Sequence, residues 1–341
     1  MTQEFWKKKR VLVTGGAGFI GSNLTERLVQ LGAVVRAVDN LERGKIENLG
    51  SVIERIEFLQ RDLREKEVCH RACQGIEIVF HLASKVGGIN YYLQKPGEVI
   101  LQNALIDTSM LDATLRNGVK RYVYASSAHV YPLHRQLTPD APALLEEDAL
   151  PAHPDLSYGW AKLLGEKQVE YAMAQGIEMR AAVLRLVGVY GKNQDLDLAT
   201  GSAIPVFIRR AIEYPHRGPF VIRGTGEETR SYCYVDDVLD GLLQAAETLD
   251  QHTLLGPLNL GSEGRVKMGD LAQQVINISG KKIELHKDSS VSTLIWGQAV
   301  DCTKARKLLV RWQPRVSLEE GLRRTYHDVE SRMSNWLDRS S

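Results

Sequence analysis

The sequence predicts an α/β protein built on a doubly wound parallel sheet, with a smaller C-terminal α/β domain. Two observations support this prediction. Short apolar runs rich in β-branched residues alternate with segments of helical periodicity over residues 11–187, and a glycine-rich turn follows the first of those runs. Because strands that alternate with helices are joined by right-handed crossovers, helices cover both faces of the resulting sheet.

The expected elements follow one another in a regular order. Apolar runs predict strands at residues 11–14, 34–38, 56–59, 78–82, 121–125 and 181–187. Helical spacing predicts helices at residues 20–31, 98–117 and 157–175. Gly32 and Gly118 mark the ends of the first two helices, and Ser157 is the expected N-cap of the third.

The chain of 341 residues is long enough for one large domain or two modest ones. A proline-rich, acidic loop at residues 132–154 precedes the last regular helix, and the alternation loosens near residue 188. We therefore expect two domains with the following bounds. The dinucleotide-binding domain comprises residues 1–188 with 229–252 returning to it, and the substrate-binding domain comprises residues 189–228 and 253–341.

Composition excludes several classes of function. The formal net charge is +1, so no overall field favours nucleic acid or an anionic membrane. Hydrophobic residues make up 43% of the chain, yet no uncharged apolar run reaches 18 residues, so we expect no membrane span. The four cysteines lack the spacing of a zinc site and favour reduced, buried thiols in a cytoplasmic protein.

A glycine motif opens the first helix and predicts a seat for a dinucleotide in a Rossmann-type domain. Gly15 permits a tight turn, Gly18 lets the backbone approach a pyrophosphate, and Gly21 allows close packing of helix on sheet. Phe19 and Ile20 begin the helix, whose N-terminal amides favour a negative charge. An ordinary turn is the alternative, and the alternating strand context makes it the weaker one.

The acidic residue at the end of the second strand favours NAD as the cofactor. Asp39 stands at the spacing expected for a carboxylate that binds the ribose. Such a carboxylate accepts from both ribose hydroxyls and repels a 2′-phosphate, which argues against NADP, although Arg43 and Lys45 lie nearby. Asp62 ends the third strand, where it either accepts from the adenine amino group or caps the next helix.

Three residues form a candidate site for proton transfer. Tyr158 and Lys162 are four residues apart on a predicted helix, so they project from one face. A neighbouring ammonium favours the phenolate, and a phenol tuned in this way can take a hydroxyl proton as hydride leaves the same carbon. Ser127 follows the fifth strand and is placed to hold the reacting oxygen.

Together these segments resemble the extended short-chain dehydrogenase/reductases that act on nucleotide sugars. The resemblance covers nearly the whole chain, and its motifs are the glycine turn, Asp39-Asn40-Leu41, Asp62-Leu63, His81-Leu82-Ala83, Tyr158-x-x-x-Lys162, Val189-Tyr190-Gly191 and Tyr234-Val235-Asp236-Asp237. Within the family, residues 81–88 resemble GDP-fucose synthase, whereas residues 124–127, 150–152 and 258–262 resemble GDP-mannose 3,5-epimerase.

The resemblance implies a reaction and a set of binding residues. NAD oxidises the sugar 4-hydroxyl to a ketone, with Tyr158 as base, Lys162 as its partner and Ser127 as hydrogen-bond donor to the reacting oxygen. Leu63, Ala83, Tyr158 and Lys162 join the cofactor-binding residues, with Lys162 as a ligand of the ribose. The implied substrate-binding residues are Lys85, Gly87, Gly88, Ser127, Arg210 and Arg230, of which Arg230 matches an arginine that binds the diphosphate.

Two positions depart from the family pattern. His129 stands where the 3,5-epimerases and fucose synthases carry a reactive cysteine, and Ser202 stands where they carry a lysine or histidine acid. An imidazole beside a 4-keto sugar is able to exchange a proton at C3 or C5. The alternative is a neutral histidine that fills a pocket.

The leading hypothesis is therefore an NAD-dependent nucleotide-sugar epimerase that acts through a transient 4-ketone, with GDP-hexoses favoured over UDP-hexoses. A nucleotide-sugar 4-dehydrogenase, reductase or dehydratase is the alternative within enzymes. A non-catalytic NAD-sensing scaffold is the alternative of another class. The family resemblance also suggests a homodimer that pairs through the helices at residues 98–117 and 157–175.

Overall fold

The computed structural model describes residues 3–291 and 293–338. Its strands are β1 (Arg10–Thr14), β2 (Val34–Asp39), β3 (Glu57–Gln60), β4 (Ile78–His81), β5 (Arg121–Ser127), β6 (Arg180–Leu186), β7 (Val189–Tyr190), β8 (Phe220–Arg223), β9 (Thr229–Ser231), β10 (Cys233–Tyr234), β11 (Leu254–Leu260), β12 (Arg265–Lys267), β13 (Leu285–Asp288) and β14 (Gly297–Gln298). Its α-helices are α1 (Gln3–Trp6), α2 (Phe19–Gln30), α3 (Lys66–Cys73), α4 (Ile89–Gln94), α5 (Pro96–Arg116), α6 (Ser157–Ala174), α7 (Ala203–Glu213), α8 (Val235–Thr248), α9 (Met268–Ser279), α10 (Thr303–Leu308) and α11 (Leu318–Asp338).

Seven parallel strands form the main sheet, in the order β11-β6-β5-β4-β1-β2-β3. Each residue of β4 is buried, as are four of the five in β1, because helices cover both faces of the sheet. The predicted fold class is therefore confirmed. The six predicted strands and three predicted helices also agree with the observed bounds to within two residues.

The strand order places a crevice at the centre of the sheet. From β1 the chain builds outward through β2 and β3, then crosses to β4 on the other side of β1. At such a reversal the loops after the two central strands diverge and leave a crevice beyond their carboxyl ends. Thr14 and His81 end β1 and β4 at this point, paired in register.

A smaller region lies beyond the carboxyl edge of the main sheet. It contains a three-stranded sheet in the order β12-β9-β14 and a parallel pair of β8 with β13. Helices α7 and α9 pack on each other in the same region. Val206, Phe207 and Ile208 of α7 are buried, so this region has an apolar core continuous with that of the main sheet.

The observed pairing corrects two of the domain bounds expected from sequence. Residues 254–260 were assigned to the substrate-binding domain, but they form β11, which pairs with β6 in the main sheet. Their buried side chains Leu255, Leu258 and Leu260 explain this position. Residues 229–231 were assigned to the dinucleotide-binding domain, but they form β9 of the three-stranded sheet. The remaining bounds stay a prediction.

Among residues 3–291 and 293–338, no helix combines the length and the apolar character needed to cross a bilayer.

Candidate active site

A cavity of about 870 Å³ opens above the central crevice, between the main sheet and the smaller region. All of the sequence-predicted site residues except Arg210 line it. They are Gly15, Gly18, Phe19, Ile20, Asp39, Asp62, Leu63, Ala83, Lys85, Gly87, Gly88, Ser127, His129, Tyr158, Lys162 and Arg230. Residues far apart in the sequence therefore meet at one site because the parallel strands end at the same edge.

The glycine turn after β1 has the shape of a phosphate cradle. Gly15 has φ +67°, and a Cβ at this position would lie 3.0 Å from the Cα of Ala83. Gly18 precedes the first turn of α2, and a Cβ at Gly21 would overlap with the carbonyl of Gly15. Backbone amides at the start of α2 thus face a space that side chains would fill, and this arrangement fits the pyrophosphate of NAD.

Asp39 lies at the end of β2, where the ribose of NAD is expected. Its carboxylate accepts hydrogen bonds from the backbone amides of Ala17 (3.0 Å) and Leu41 (2.9 Å). Burial raises the pKa of Asp39, and these amides oppose the change. The carboxylate is thereby fixed beside the glycine turn, in a position that suits the selection of NAD.

Asp62 also lines the cavity, but its carboxylate is already paired. The guanidinium of Arg64 and the backbone amide of Arg64 both donate to it, at 2.8 and 2.9 Å. The Arg64 hydrogen bond lowers the pKa of Asp62 to about 2. The N-cap of α3 is Glu65, so Asp62 does not cap that helix. Its role toward adenine stays a prediction.

Ser127, Tyr158 and Lys162 meet on one wall of the cavity. Ser127 ends β5, and its hydroxyl accepts from the backbone amide of His129 at 3.3 Å. The ring of Tyr158 stacks on that of Tyr92, with centroids 5.2 Å apart and planes 8° from parallel. Two elements that are distant in the sequence, β5 and α6, therefore hold the hydroxyl groups of Ser127 and Tyr158 at one surface.

The structure differs from the sequence-based expectation that Lys162 makes Tyr158 more acidic. Burial raises the pKa of Tyr158 to about 12, opposed by a hydrogen bond with Ser84 and reinforced by the charge of Asp107. The Lys162 ammonium lies 3.6 Å from a carboxylate oxygen of Asp107. Because the Lys162 side chain is only 2% exposed, its charge is compensated by this buried carboxylate rather than by the phenol.

Asp107 belongs to a buried polar network that the sequence analysis did not identify. Its carboxylate accepts from the Tyr124 hydroxyl (2.6 Å) and lies 3.0 Å from Nε2 of His81. Nδ1 of His81 lies 2.8 Å from the Thr14 hydroxyl. A polar pair at i and i+4, Asn103 and Asp107, that flanks the apolar run Ala104-Leu105-Ile106 was the signal that could have revealed it.

Asn103 fixes the loop that leads into the cavity. Its side-chain oxygen accepts from the Ser84 hydroxyl (2.6 Å) and the Lys85 amide (2.8 Å), and its amide donates to the Lys85 carbonyl (3.0 Å). Ser84 is the residue that contacts Tyr158. The loop after β4 is therefore tied to α5 at the point where it reaches the proton-transfer residues.

His129 faces the cavity with an acid behind it. Its Nδ1 lies 2.8 Å from Oδ2 of Asp155, and its ring packs edge-on against Tyr158, with centroids 5.7 Å apart. A Cβ at Gly159 would overlap with the His129 carbonyl, so only glycine lets α6 approach the backbone of His129 this closely. Burial lowers the pKa of His129, but the charge and hydrogen bond of Asp155 outweigh it and the pKa is raised.

The basic side chains predicted for substrate binding are only partly brought together. Arg230 lines the cavity and donates to the carbonyls of Thr229 and Ile295, at 2.8 Å each. Arg210 lies on α7 and donates instead to the backbone carbonyl of Val221 in β8, so it does not line the cavity. Arg223, at the end of β8, does line it, and the sequence analysis did not identify this residue.

The cavity is lined by more basic than acidic side chains, although several of the basic ones are paired with carboxylates. Four acidic residues and nine basic residues line the cavity. The basic residues are Arg43, Lys45, Arg61, Arg64, Lys85, Lys162, Arg223, Arg230 and Arg332. Arg332 comes from the last helix, α11, and also donates to the carbonyl of Gln194 at 2.7 Å. This excess of positive charge suits the phosphates of a dinucleotide and of a nucleotide-sugar substrate.

A dinucleotide seat beside a tyrosine placed for proton transfer places the chain among the NAD-dependent short-chain dehydrogenase/reductases. The profile of the NAD dependent epimerase/dehydratase family matches residues 11–261. The chain belongs to this family, and the predicted recognition and cofactor, NAD, are confirmed. It is an enzyme of the nucleotide-sugar epimerase and dehydratase type.

Relatives span almost the whole chain. GDP-mannose 3,5-epimerase of Arabidopsis thaliana is 31% identical over 334 residues, which cover 97% of this chain and 85% of that protein. UDP-glucose 4-epimerase of Thermotoga maritima superposes with a TM-score of 0.83 at 29% identity, covering 95% of this chain and 99% of that one. UDP-glucuronic acid 4-epimerase of Bacillus cereus, solved with UDP-glucuronic acid and NAD, superposes with a TM-score of 0.81 at 26% identity, with the same coverage of both chains.

Proposed function

We propose that the protein epimerises a nucleotide-sugar through a transient ketone at C4 of the sugar, with His129 exchanging a proton at C3 or C5. The observation that carries this proposal is the edge contact of the His129 and Tyr158 rings, 5.7 Å apart, on the wall of one cavity. Tyr158 serves oxidation at C4, and His129 is the second acid–base residue. The two are close enough to act on neighbouring carbons of one sugar ring.

The chain's own residues have distinct roles in this proposal. Gly15, Gly18 and Asp39 would hold NAD, which would supply a reversible hydride acceptor for C4. Tyr158 takes the proton of the 4-hydroxyl, and Ser127 donates a hydrogen bond to the same oxygen. The pKa of Tyr158, about 12 through burial, must fall for this step, and the hydrogen bond with Ser84 acts in that direction.

The ketone makes proton exchange possible at the adjacent carbons. A carbonyl at C4 acidifies the C–H bonds at C3 and C5 because the electron pair left behind spreads onto the ketone oxygen. His129 in its neutral form takes such a proton and, as imidazolium, returns one to the same face, which exchanges the proton. Inversion follows when water instead delivers a proton to the opposite face of the enolate and the imidazolium gives its own proton to solvent. The Asp155 carboxylate raises the pKa of His129 and thereby stabilises the imidazolium that forms.

We further propose a GDP-hexose in preference to a UDP-hexose. Arg230 is placed for the diphosphate, and Arg223 lines the same cavity, as do the apolar side chains of Leu294 and Ile295. A guanidinium is able to donate to both O6 and N7 of guanine, a pair of acceptors that uracil lacks. The similarity to GDP-mannose 3,5-epimerases over 97% of the chain supports the same choice.

Deuterium incorporation tests the proposal directly. The purified protein, supplied with NAD, is incubated with GDP-hexoses and with UDP-hexoses in deuterated water, and the sugars are analysed by NMR. Carbon-bound deuterium at C3 or C5 of a GDP-hexose is the expected result. His129→Gln should abolish this incorporation while leaving reversible oxidation at C4. Inversion at C4 without deuterium in the wild-type protein would contradict the role of His129.

A 4-dehydrogenase or reductase is the second candidate, and one observation favours it. Ser202 lines the cavity where the 3,5-epimerases carry a titratable acid, and its hydroxyl accepts from the amide of Gln194 at 3.1 Å. A serine held in this way is a poor proton donor to carbon. Net formation of NADH with no deuterium in the sugar would establish this candidate in place of the epimerase.

We also propose a homodimer that forms through α5 and α6. These helices pack against each other, and their outer faces carry exposed apolar side chains, among them Leu101 (70% exposed) and Tyr171 (69%). Leu105, Trp160 and Leu164 extend the same patch, which we call the α5–α6 patch. A contiguous apolar surface of this kind is typical of a protein interface.

A cytoplasmic location is consistent with the cysteines. All four, Cys69, Cys73, Cys233 and Cys302, are free and buried. Burial raises the pKa of Cys69 to about 12, so this thiol is protonated and unreactive at neutral pH. Reduced thiols of this kind support our proposal of a reducing compartment.

A further inference from the structure

We propose that Asp155 is the positioning residue for His129, and that the two form a carboxylate–imidazole dyad that exchanges protons with the substrate. The inference rests on the proposed function, since exchange at C3 or C5 is the chemistry assigned to His129. The dyad itself is a property of the protein that is measurable without any substrate.

Asp155 and His129 are in direct contact. Oδ2 of Asp155 lies 2.8 Å from Nδ1 of His129, within hydrogen-bond distance. The Asp155 side chain is 1% exposed and the His129 side chain 29%, so the carboxylate lies behind a ring that reaches the cavity. Because Nδ1–H donates to the carboxylate, the lone pair of the neutral ring is fixed on Nε2. Nε2 is therefore the nitrogen that remains for the substrate.

The other carboxylate oxygen of Asp155, Oδ1, is also unusual. Within the described parts of the chain, Oδ1 of Asp155 is buried and has no hydrogen-bond partner. A buried carboxylate oxygen without a donor destabilises the folded state. Asp155 lowers the stability of the folded state in this way, and its other oxygen holds a histidine that faces the cavity. This combination is typical of functional sites.

The surroundings of His129 show why the carboxylate matters. Tyr92 of α4 and Tyr158 of α6 pack against the ring, with centroids 6.0 and 5.7 Å from it. Arg230 of β9 lies near enough for its charge to lower the pKa of His129, as does burial. Asp155 is thus the group that opposes these influences and stabilises the imidazolium.

The exchange step is balanced with these groups alone. Nε2 of neutral His129 takes a proton from C3 or C5 of the 4-keto sugar, and the C–H electron pair moves onto the ketone oxygen to give an enolate. The imidazolium that forms is paired with the Asp155 carboxylate. Return of a proton from Nε2 to carbon restores the ketone and the neutral ring.

The test is the titration of His129 in the NAD-bound protein, followed by NMR of its ring protons. In Asp155→Asn the amide oxygen still accepts from Nδ1, but the negative charge is lost. We expect the pKa of His129 to fall by about one unit or more. The control is Asp140→Asn, an exposed acid of the preceding loop, which should leave that pKa unchanged.

Substrate exchange provides the second readout. In Asp155→Asn, deuterium incorporation should slow at least about tenfold, and the acidic limb of its pH–rate profile should move to lower pH. The direction follows because the reactive form is the neutral ring, which a lower pKa populates at lower pH. Oxidation at C4 should continue, since Tyr158 and Lys162 are untouched.

The possible outcomes separate the dyad from the proposed function. An unchanged His129 pKa in a folded Asp155→Asn protein overturns the dyad, whatever the enzyme does to sugars. A shifted pKa with no deuterium exchange in the wild-type protein supports the dyad and overturns the proposed function. If Asp155→Asn does not fold, the wild-type titration decides: a His129 pKa below that of the exposed His286 overturns the dyad.

Discussion

At the scale of single residues, the sequence predicted which residues line the cavity better than it predicted how their surroundings affect their ionisation. The spacing of Tyr158 and Lys162 on one helix face was sufficient to place both at the cavity. Their ionisation was not predictable, because it depends on burial and on Asp107, a residue of another helix. Arg210 shows the same limit, since nothing in its local sequence indicates that it turns toward a backbone carbonyl of β8.

Tyr158→Phe tests the catalytic residue at this scale. Without the hydroxyl there is no group to take the 4-hydroxyl proton, so turnover should fall by about 10²-fold or more. Retention of NAD should be unchanged, because the glycine turn and Asp39 remain intact. Turnover and bound NAD are measured on the same preparation. Undiminished turnover would contradict the catalytic role of Tyr158.

Asp107→Asn tests the buried network. Removing one member of a buried ion pair leaves Lys162 without its counter-charge, and we expect a loss of about 3–5 kcal/mol in the free energy of unfolding. The matched control is Asp112→Asn, an exposed acid on the same helix paired with Arg116, which should cost less than about 0.5 kcal/mol. Urea unfolding measures both, and equal costs would contradict the role of Asp107.

The same network predicts how stability depends on pH. Burial raises the pKa of Asp107, but Lys162 and His81 outweigh this effect and hold the pKa below its usual value. A lowered pKa in the folded state gives stability that is present above the unfolded pKa of about 3.9 and is lost as pH falls. The stability difference between the wild-type protein and Asp107→Asn should therefore shrink below about pH 4 in urea unfolding.

At the scale of elements, long segments with a clear period were predictable and irregular ones were not. The main-sheet strand β11 contains Gly256 and Pro257, which in a sequence indicate a turn. In the structure its pairing with β6 is interrupted between Leu255 and Leu258, and this irregularity accommodates the two residues. The strands β7 and β10 have two residues each, which is too short to show the two-residue alternation that predicts a strand.

Gly21→Ala tests the packing of the first helix on the glycine turn. The new methyl group would overlap with the Gly15 carbonyl, so α2 must shift, and affinity for NAD should fall at least about tenfold. Gly97→Ala is the control, because a Cβ there meets no atom within 4 Å and alanine favours helix by up to about 1 kcal/mol. Calorimetric titration with NAD distinguishes the two, and equal affinities would contradict the prediction.

At the scale of the whole molecule, one surface outside the cavity remains exposed and apolar. If the α5–α6 patch forms the proposed dimer, Leu164→Arg should place a charge in the interface and yield monomers. Val310→Arg is the control, since Val310 is equally apolar and 80% exposed but lies outside the patch. Light scattering after size-exclusion chromatography gives the masses. A wild-type monomer, or a dimer that survives Leu164→Arg, would contradict the proposal.

The cavity draws its walls from both ends of the chain, from Gly15 in the first turn to Arg332 in the last helix. This has a consequence for biosynthesis. During translation the glycine turn leaves the ribosome more than 300 residues before Arg332 of α11 does. The enclosure described here therefore cannot be complete on a growing chain until α11 has emerged.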